Sequence, residues 1–238
     1  MAVLRAALFQ LCFYLWGAGL VILFVPALLG PRQGSVLGMR VFGRGTIWLL
    51  KAIVGIRVEV RGRENLPKGG CIVAAKHQSA FDTLVYHPLL GDPAIVMKRE
   101  LLWIPFYGQH SLKARMIPVD RAGGPSALKT LVRLGRDAVA EGRPIVIFPQ
   151  GTRVAPGSSA PYQPGLAALY SQLDVPVVPV ATNSGLCWPR RSFAKHPGTI
   201  VVEFLPPIPP GIPRKLFSAQ VERAIESASD RLSGHAQG

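Results

Sequence analysis

Cys71-Ile72-Val73-Ala74-Ala75-Lys76-His77-Gln78-Ser79-Ala80-Phe81-Asp82 joins a short apolar run to a polar loop. Five apolar residues followed by charge predict a buried strand over 71–75, with His77 where the strand opens. In an α/β protein, chemistry gathers at such strand ends. Residues five apart on one helix point about 140° apart and cannot touch. A His77–Asp82 contact therefore needs a bend after His77, with Asp82 in the first turn of a following helix. Asp82 can then accept from one ring nitrogen, fix the tautomer and leave the other nitrogen as a base. Such a pair suits an enzyme that activates a hydroxyl on its own substrate. The bare spacing is common by chance and fits a loop histidine beside a helix-capping aspartate equally. Its weight comes from the rest of the chain.

Upstream, no charged residue occurs from Ala6 to Pro31, and Leu8–Leu29 is apolar except for Gln10. That length is what a bilayer-spanning helix needs. It exceeds a usual signal-peptide core and lacks a clear cleavage site, so a retained anchor is expected. Pro26, Gly17 and Gly19 allow a kink, leaving open a helix that lies within one leaflet. Seven basic residues then run from Arg32 to Arg63 against Glu59 and Glu64. The positive-inside rule puts this side in the cytoplasm, and the expected location is the cell inner membrane. Ile47–Val54 reads either as an interfacial helix or as a core helix.

The 238 residues suffice for one sizeable domain plus an appendage. A net charge of +14 favours polyanions, and a 49% hydrophobic share favours anionic lipid over nucleic acid. No zinc-finger or RNA-binding signature occurs, and nucleic acid is not an expected partner. Cys12, Cys71 and Cys187 make no disulfide framework. No histidine, His87, His110, His196 and His235 included, has metal-ligand spacing, so no metal is expected.

Downstream, strands are predicted at 56–60, 94–97, 114–119, 145–148, 175–181 and 199–204. Helices are predicted near 82–90, 125–140, 164–173 and 214–232, with a mixed stretch from Glu100 closed by Gly108. The alternation predicts an α/β fold, a mixed but mostly parallel sheet flanked by helices, behind a membrane anchor. Expected boundaries are 1–55 for the anchoring helices, 56–205 for the catalytic domain, and 206–238 for a Pro-rich linker and last helix. Pro176 and Pro179 predict an edge position or a bulge for their strand, which would line an apolar track.

Four landmarks stand in order: H-Q-S-A-F-D at His77–Asp82, I-P-V-D-R at Ile117–Arg121, F-P-Q-G-T-R at Phe148–Arg153, and V-P-V-V-P-V at Val175–Val180. M-K-R-E-L-L-W-I-P-F-Y-G at Met97–Gly108 lies between the first two. Together they resemble the glycerophospholipid acyltransferase family, most closely its bacterial lysophosphatidic acid acyltransferases, over about Ile56 to Phe204. The resemblance implies that His77 is the general base for a lysophospholipid hydroxyl and Asp82 its orienter. The oxygen attacks an acyl thioester, with no acyl-enzyme and no cofactor. The donor is acyl carrier protein or coenzyme A thioester. Lys98 and Arg153 match phosphate-binding positions, and Arg121 fits the same role. Gly151 or Thr152 is the expected oxyanion donor.

Two departures stand out. Gln150 occupies a position where the family commonly has Glu, and it cannot carry charge or act as a base. Lys76 precedes the histidine where many members have Asn. Gln150 keeps open another lysolipid acceptor. The charge and anchor alone would also fit a non-catalytic protein that binds anionic lipid.

Overall fold

The computed structural model describes residues 2–234. Its strands are β1 (Ile56–Arg61), β2 (Ile72–Ala75), β3 (Ala94–Lys98), β4 (Ile117–Val119), β5 (Ile145–Ile147), β6 (Val177–Thr182) and β7 (Gly198–Phe204). They form one sheet in the order β1-β7-β6-β2-β5-β3-β4. Every pairing is parallel except β6 with β7. Period-two alternation splits β2 between two cores. Cys71, Val73 and Ala75 join one apolar cluster, and Ile72 and Ala74 join the other.

The first cluster is covered by α2 (Arg32–Leu49) and α3 (Phe81–Leu90), and α1 (Ala2–Phe24), packed on α2, reaches it through Phe9. The second is covered by α5 (Gly124–Ala140), α6 (Pro164–Leu173) and α8 (Arg214–Ser233). Two short helices, α4 (Tyr107–Lys113) and α7 (Ser184–Cys187), sit in connections. A seemingly polar sequence makes α8 a packed helix, because Phe217, Val221 and Ile225 recur every four residues on its buried face. Each such side chain contributes about 1.5–3 kcal/mol by leaving water.

From Val3 to Leu28 the chain is long and apolar enough to cross a membrane, and only 6% of that window is buried. A core helix would be mostly buried, so this apolar surface calls for lipid. The protein is membrane-associated. Both ends of the segment nevertheless touch the α/β body. Phe9 meets Trp188 edge to face, with ring centroids 5.4 Å apart. At the other end, Lys113 donates to the Leu28 carbonyl. Arg32, at the start of α2, pairs with Asp92, which also pairs with the buried Arg143. The Ile47–Val54 stretch, read as either an interfacial or a core helix, continues α2 into a π turn, Leu50–Val54, ended by left-handed Gly55, with Leu50 and Val54 buried in the first cluster.

Three local expectations fail for identifiable reasons. The strand expected from Ala114 begins only at Ile117, because Ala114 ends α4 and Arg115 has φ +55°. Gly108 does not close a loop but lies inside α4, against the Leu102 carbonyl. The proline-bearing strand β6 is interior, between β7 and β2. Pro176 lies before it, and its carbonyl accepts from Ile72. Val177 bonds with Ile208, and the Pro179 carbonyl accepts from Leu205. The missing N–H of Pro179 thus faces the neighbouring Pro206-Pro207 run, not the β2 ladder.

Close approach of α2 to α3 depends on Gly43. A Cβ there would lie 2.6 Å from the Leu84 carbonyl and 2.7 Å from Pro88. Backbone on one side and a ring on the other leave no room to yield. Gly43→Ala is expected to cost about 1–3 kcal/mol in detergent-solubilised unfolding. Gly19→Ala, with nothing within 4 Å, should leave the midpoint unchanged. Equal midpoints for the two variants would refute the packing argument.

Candidate active site

The alternation of β2 continues into the loop beyond it. Lys76 turns toward α8, and His77 turns to the α3 side. Asp82, in the first turn of α3, reaches back to the loop. Its Oδ2 lies 3.0 Å from His77 Nδ1 and accepts the Gln78 and Ser79 amides at 2.7 and 2.8 Å. A carboxylate oxygen only accepts, so His77 donates from Nδ1 and its Nε2 carries the lone pair. Phe148, just past β5, stacks on the imidazole with centroids 4.3 Å apart and 26° between planes. The ring is thus held at one nitrogen and along one face.

His77 opens onto a cavity of about 730 Å³. Phe13, Met39 and Phe42 of the α1–α2 hairpin, with Leu84 and Ile104, supply apolar walls. Lys98, Arg121 and Arg153 line it too: Lys98 ends β3, Arg121 follows β4 by two residues, and Arg153 lies in the loop after β5. Lys98 is paired with Glu100 at 2.9 Å. Sequence reasoning missed Arg190 and Arg191, which also line the cavity. Arg190 donates to the Arg153 carbonyl at 2.7 Å. A chamber with apolar walls and five cations suits an amphiphile with an anionic head.

The Val175–Val180 run supplies none of this lining. Val177, Val178 and Val180 are packed in the two cores, and the apolar track comes from the hairpin instead. Among the expected oxyanion donors, the Gly151 amide is already engaged, donating to the Phe148 carbonyl at 2.9 Å with φ +65°. That leaves Thr152, which also lines the cavity, as the candidate donor at this turn.

Gln150 is buried and turned away toward α8, where its Nε2 donates to Glu226 Oε1 at 3.3 Å. Tyr162 donates to the same oxygen at 2.9 Å. Lys76, only 2% exposed, pairs with the other oxygen. Removing Glu226 would leave the buried Lys76 ammonium unpaired, which is destabilising. The two departures from the family pattern therefore share one carboxylate, on an element the motifs do not reach.

Protein nucleophiles are poorly placed. Cys71 is buried, and burial pushes its thiol up to about 11. The Ser79 hydroxyl is buried and accepts the Phe81 amide at 3.1 Å.

A sequence model described as "Acyltransferase" matches residues 57–183. The chain is 36% identical over 203 residues to a 1-acyl-sn-glycerol-3-phosphate acyltransferase of Pseudomonas aeruginosa, covering 84% of this chain and 78% of that protein. It is 32% identical over 207 residues to the human 1-acyl-sn-glycerol-3-phosphate acyltransferase alpha, covering 84% and 72%. The crystal structure of the 1-acyl-sn-glycerophosphate (LPA) acyltransferase PlsC from Thermotoga maritima has the same fold. It superposes with TM-score 0.82 at 22% identity over 100% of both chains.

Of the remaining histidines, His87 and His110 are buried and His196 is exposed. Ser35 hydrogen-bonds His110 Nδ1 at 2.9 Å. His87 is buried, its Nδ1 has no partner among the described residues, and burial pushes it down to about 4. His235 lies outside the described residues. Because the folded value for His87 is below the unfolded value of 6.5, the unfolded chain binds more protons between the two. Stability is full above pH 6.5 and falls as pH drops toward 4. The loss from pH 7 to pH 5 is about 2 kcal/mol. Denaturant unfolding at the two pH values should show it, and His87→Phe should flatten that dependence.

Proposed function

The chain belongs to the acyltransferase family, and on that footing we propose that it is a membrane-bound 1-acyl-sn-glycerol-3-phosphate O-acyltransferase. It transfers an acyl chain from a thioester to lysophosphatidic acid, giving phosphatidic acid for phospholipid synthesis. One observation carries the reading beyond family membership: an imidazole oriented by a buried carboxylate opens onto a chamber that is both apolar and cationic.

In this reading His77 Nε2 takes the proton of the free glycerol hydroxyl. The oxygen attacks the thioester carbonyl, and the tetrahedral oxyanion accepts from the Thr152 amide. Collapse expels the thiolate, and the imidazolium returns the proton to it. An ester and a thiol result, with no water consumed and no acyl-enzyme formed. Asp82 stabilises the imidazolium without taking its proton. Arg121 and Arg153, with Lys98, bind the acceptor phosphate. Gln150, facing α8, takes no part in proton transfer. A net charge of +14 suits acidic acyl carrier protein as donor, with the coenzyme A thioester as the other candidate.

We further read the catalytic domain as lying on the cytoplasmic face of the inner membrane, with the hairpin in one leaflet. About 19 residues separate Phe9 from Leu28, or roughly 28 Å of helix. That nearly equals the hydrocarbon thickness. A helix crossing the bilayer upright could not touch a body outside it at both ends.

Purified protein offered a panel of lysolipids and thioesters should form phosphatidate from lysophosphatidate. His77→Ala should lower kcat about 10²–10⁴-fold, and full activity in that variant would end the mechanism. Arg121→Ala and Arg153→Ala should each raise KM for lysophosphatidate about 10–100-fold, as loss of a charge-assisted hydrogen bond does. A preference for acceptors without phosphate, with both arginines dispensable, would instead favour another lysolipid.

A further inference from the structure

We propose that Glu226, on the C-terminal helix, is a positioning residue for acyl transfer, holding the two strand-end loops that carry His77 and Thr152. The inference rests on the acyl-transfer reading above.

The Glu226 carboxylate receives three donors from two loops. Lys76 Nζ meets Oε2, while Gln150 Nε2 and Tyr162 Oη meet Oε1 at 3.3 and 2.9 Å. Lys76 is bonded in chain to His77, and Gln150 stands two residues before Thr152. The loops are also joined directly, since the Val154 amide donates to the His77 carbonyl at 2.8 Å. The support itself is firm, because Phe217, Val221 and Ile225 seat α8 in the core. Burial and Glu226 both push the Tyr162 phenol up, so it stays a donor.

Charge balance explains why residue 150 is an amide. Among the described residues Lys76 is the one ammonium paired with this carboxylate, and Glu226 already neutralises it. A glutamate at 150 would set a second carboxylate against Oε1, with no further cation paired there among the described residues. Glu226 and Gln150 thus act as a matched pair, in which the helix holds the charge and the loop holds the amide. Exchanging the two should preserve the balance, whereas changing either alone should not.

The test is steady-state kinetics of the full chain in detergent–lysophosphatidate micelles, with unfolding midpoints measured alongside. Glu226→Gln and Gln150→Glu should each lower kcat about tenfold while KM for the acceptor stays within about twofold. The double variant Gln150→Glu/Glu226→Gln should recover kcat to within about threefold of the parent, the non-additivity expected of a coupled pair. A loss of folding alone would move the midpoints without this rescue. A double variant no better than Gln150→Glu, or a folded Glu226→Gln with parental kcat, overturns the inference. A parent inactive on every lysophosphatidate–thioester pair would sink the acyl-transfer reading instead.

Discussion

One carboxylate oxygen holds this site together. Asp82 Oδ2 accepts from the His77 ring and from the Gln78 and Ser79 amides, three bonds into one buried atom. Without them the turn after β2 would have two amides to satisfy and an imidazole free to rotate. With them, the strand, the turn and the first turn of α3 form one unit, and the outer ring nitrogen has a fixed direction. The packing of α2 on α3 supports that unit from behind, at the contact where only a glycine fits.

The layer order of the protein follows from what β2 must do. It is central in the sheet and buried on both faces, so its side chains alternate between two cores. Carried two residues beyond the strand, the same alternation sends Lys76 to one side and His77 to the other. A buried cation and an imidazole in consecutive positions would be costly on a one-sided sheet. Here each has its own layer, and the cation has a carboxylate waiting on α8.

Much of this was legible in sequence because it is local. The apolar run before His77, the five-residue step to Asp82 and the cations after successive strands are short-range patterns that need only strand and helix periods. What sequence could not supply is long-range. Glu226 lies in a helix 144 residues after Asp82 in the chain, with no motif around it, and only folding brings it to Lys76 and Gln150. Phe148 was visible as a motif residue but not as the face on which the imidazole stacks. The prolines of β6 argued for an edge or a bulge, yet the strand is interior, because the missing N–H of Pro179 falls past the end of β7, beside Pro206 and Pro207. Gly151 looked like an oxyanion donor until its amide was found closing the turn.

The α1–α2 hairpin has two duties, since Phe13, Met39 and Phe42 wall the chamber while the exposed apolar side of α1 faces lipid. Anchor and reaction vessel are therefore one piece. A lipid acceptor need never become a dissolved monomer to arrive; it can slide in sideways from the film the anchor sits in. Turnover would then follow the acceptor's mole fraction in that two-dimensional film rather than its bulk molarity, and inert amphiphile added to the surface would dilute the reaction even at constant total concentration.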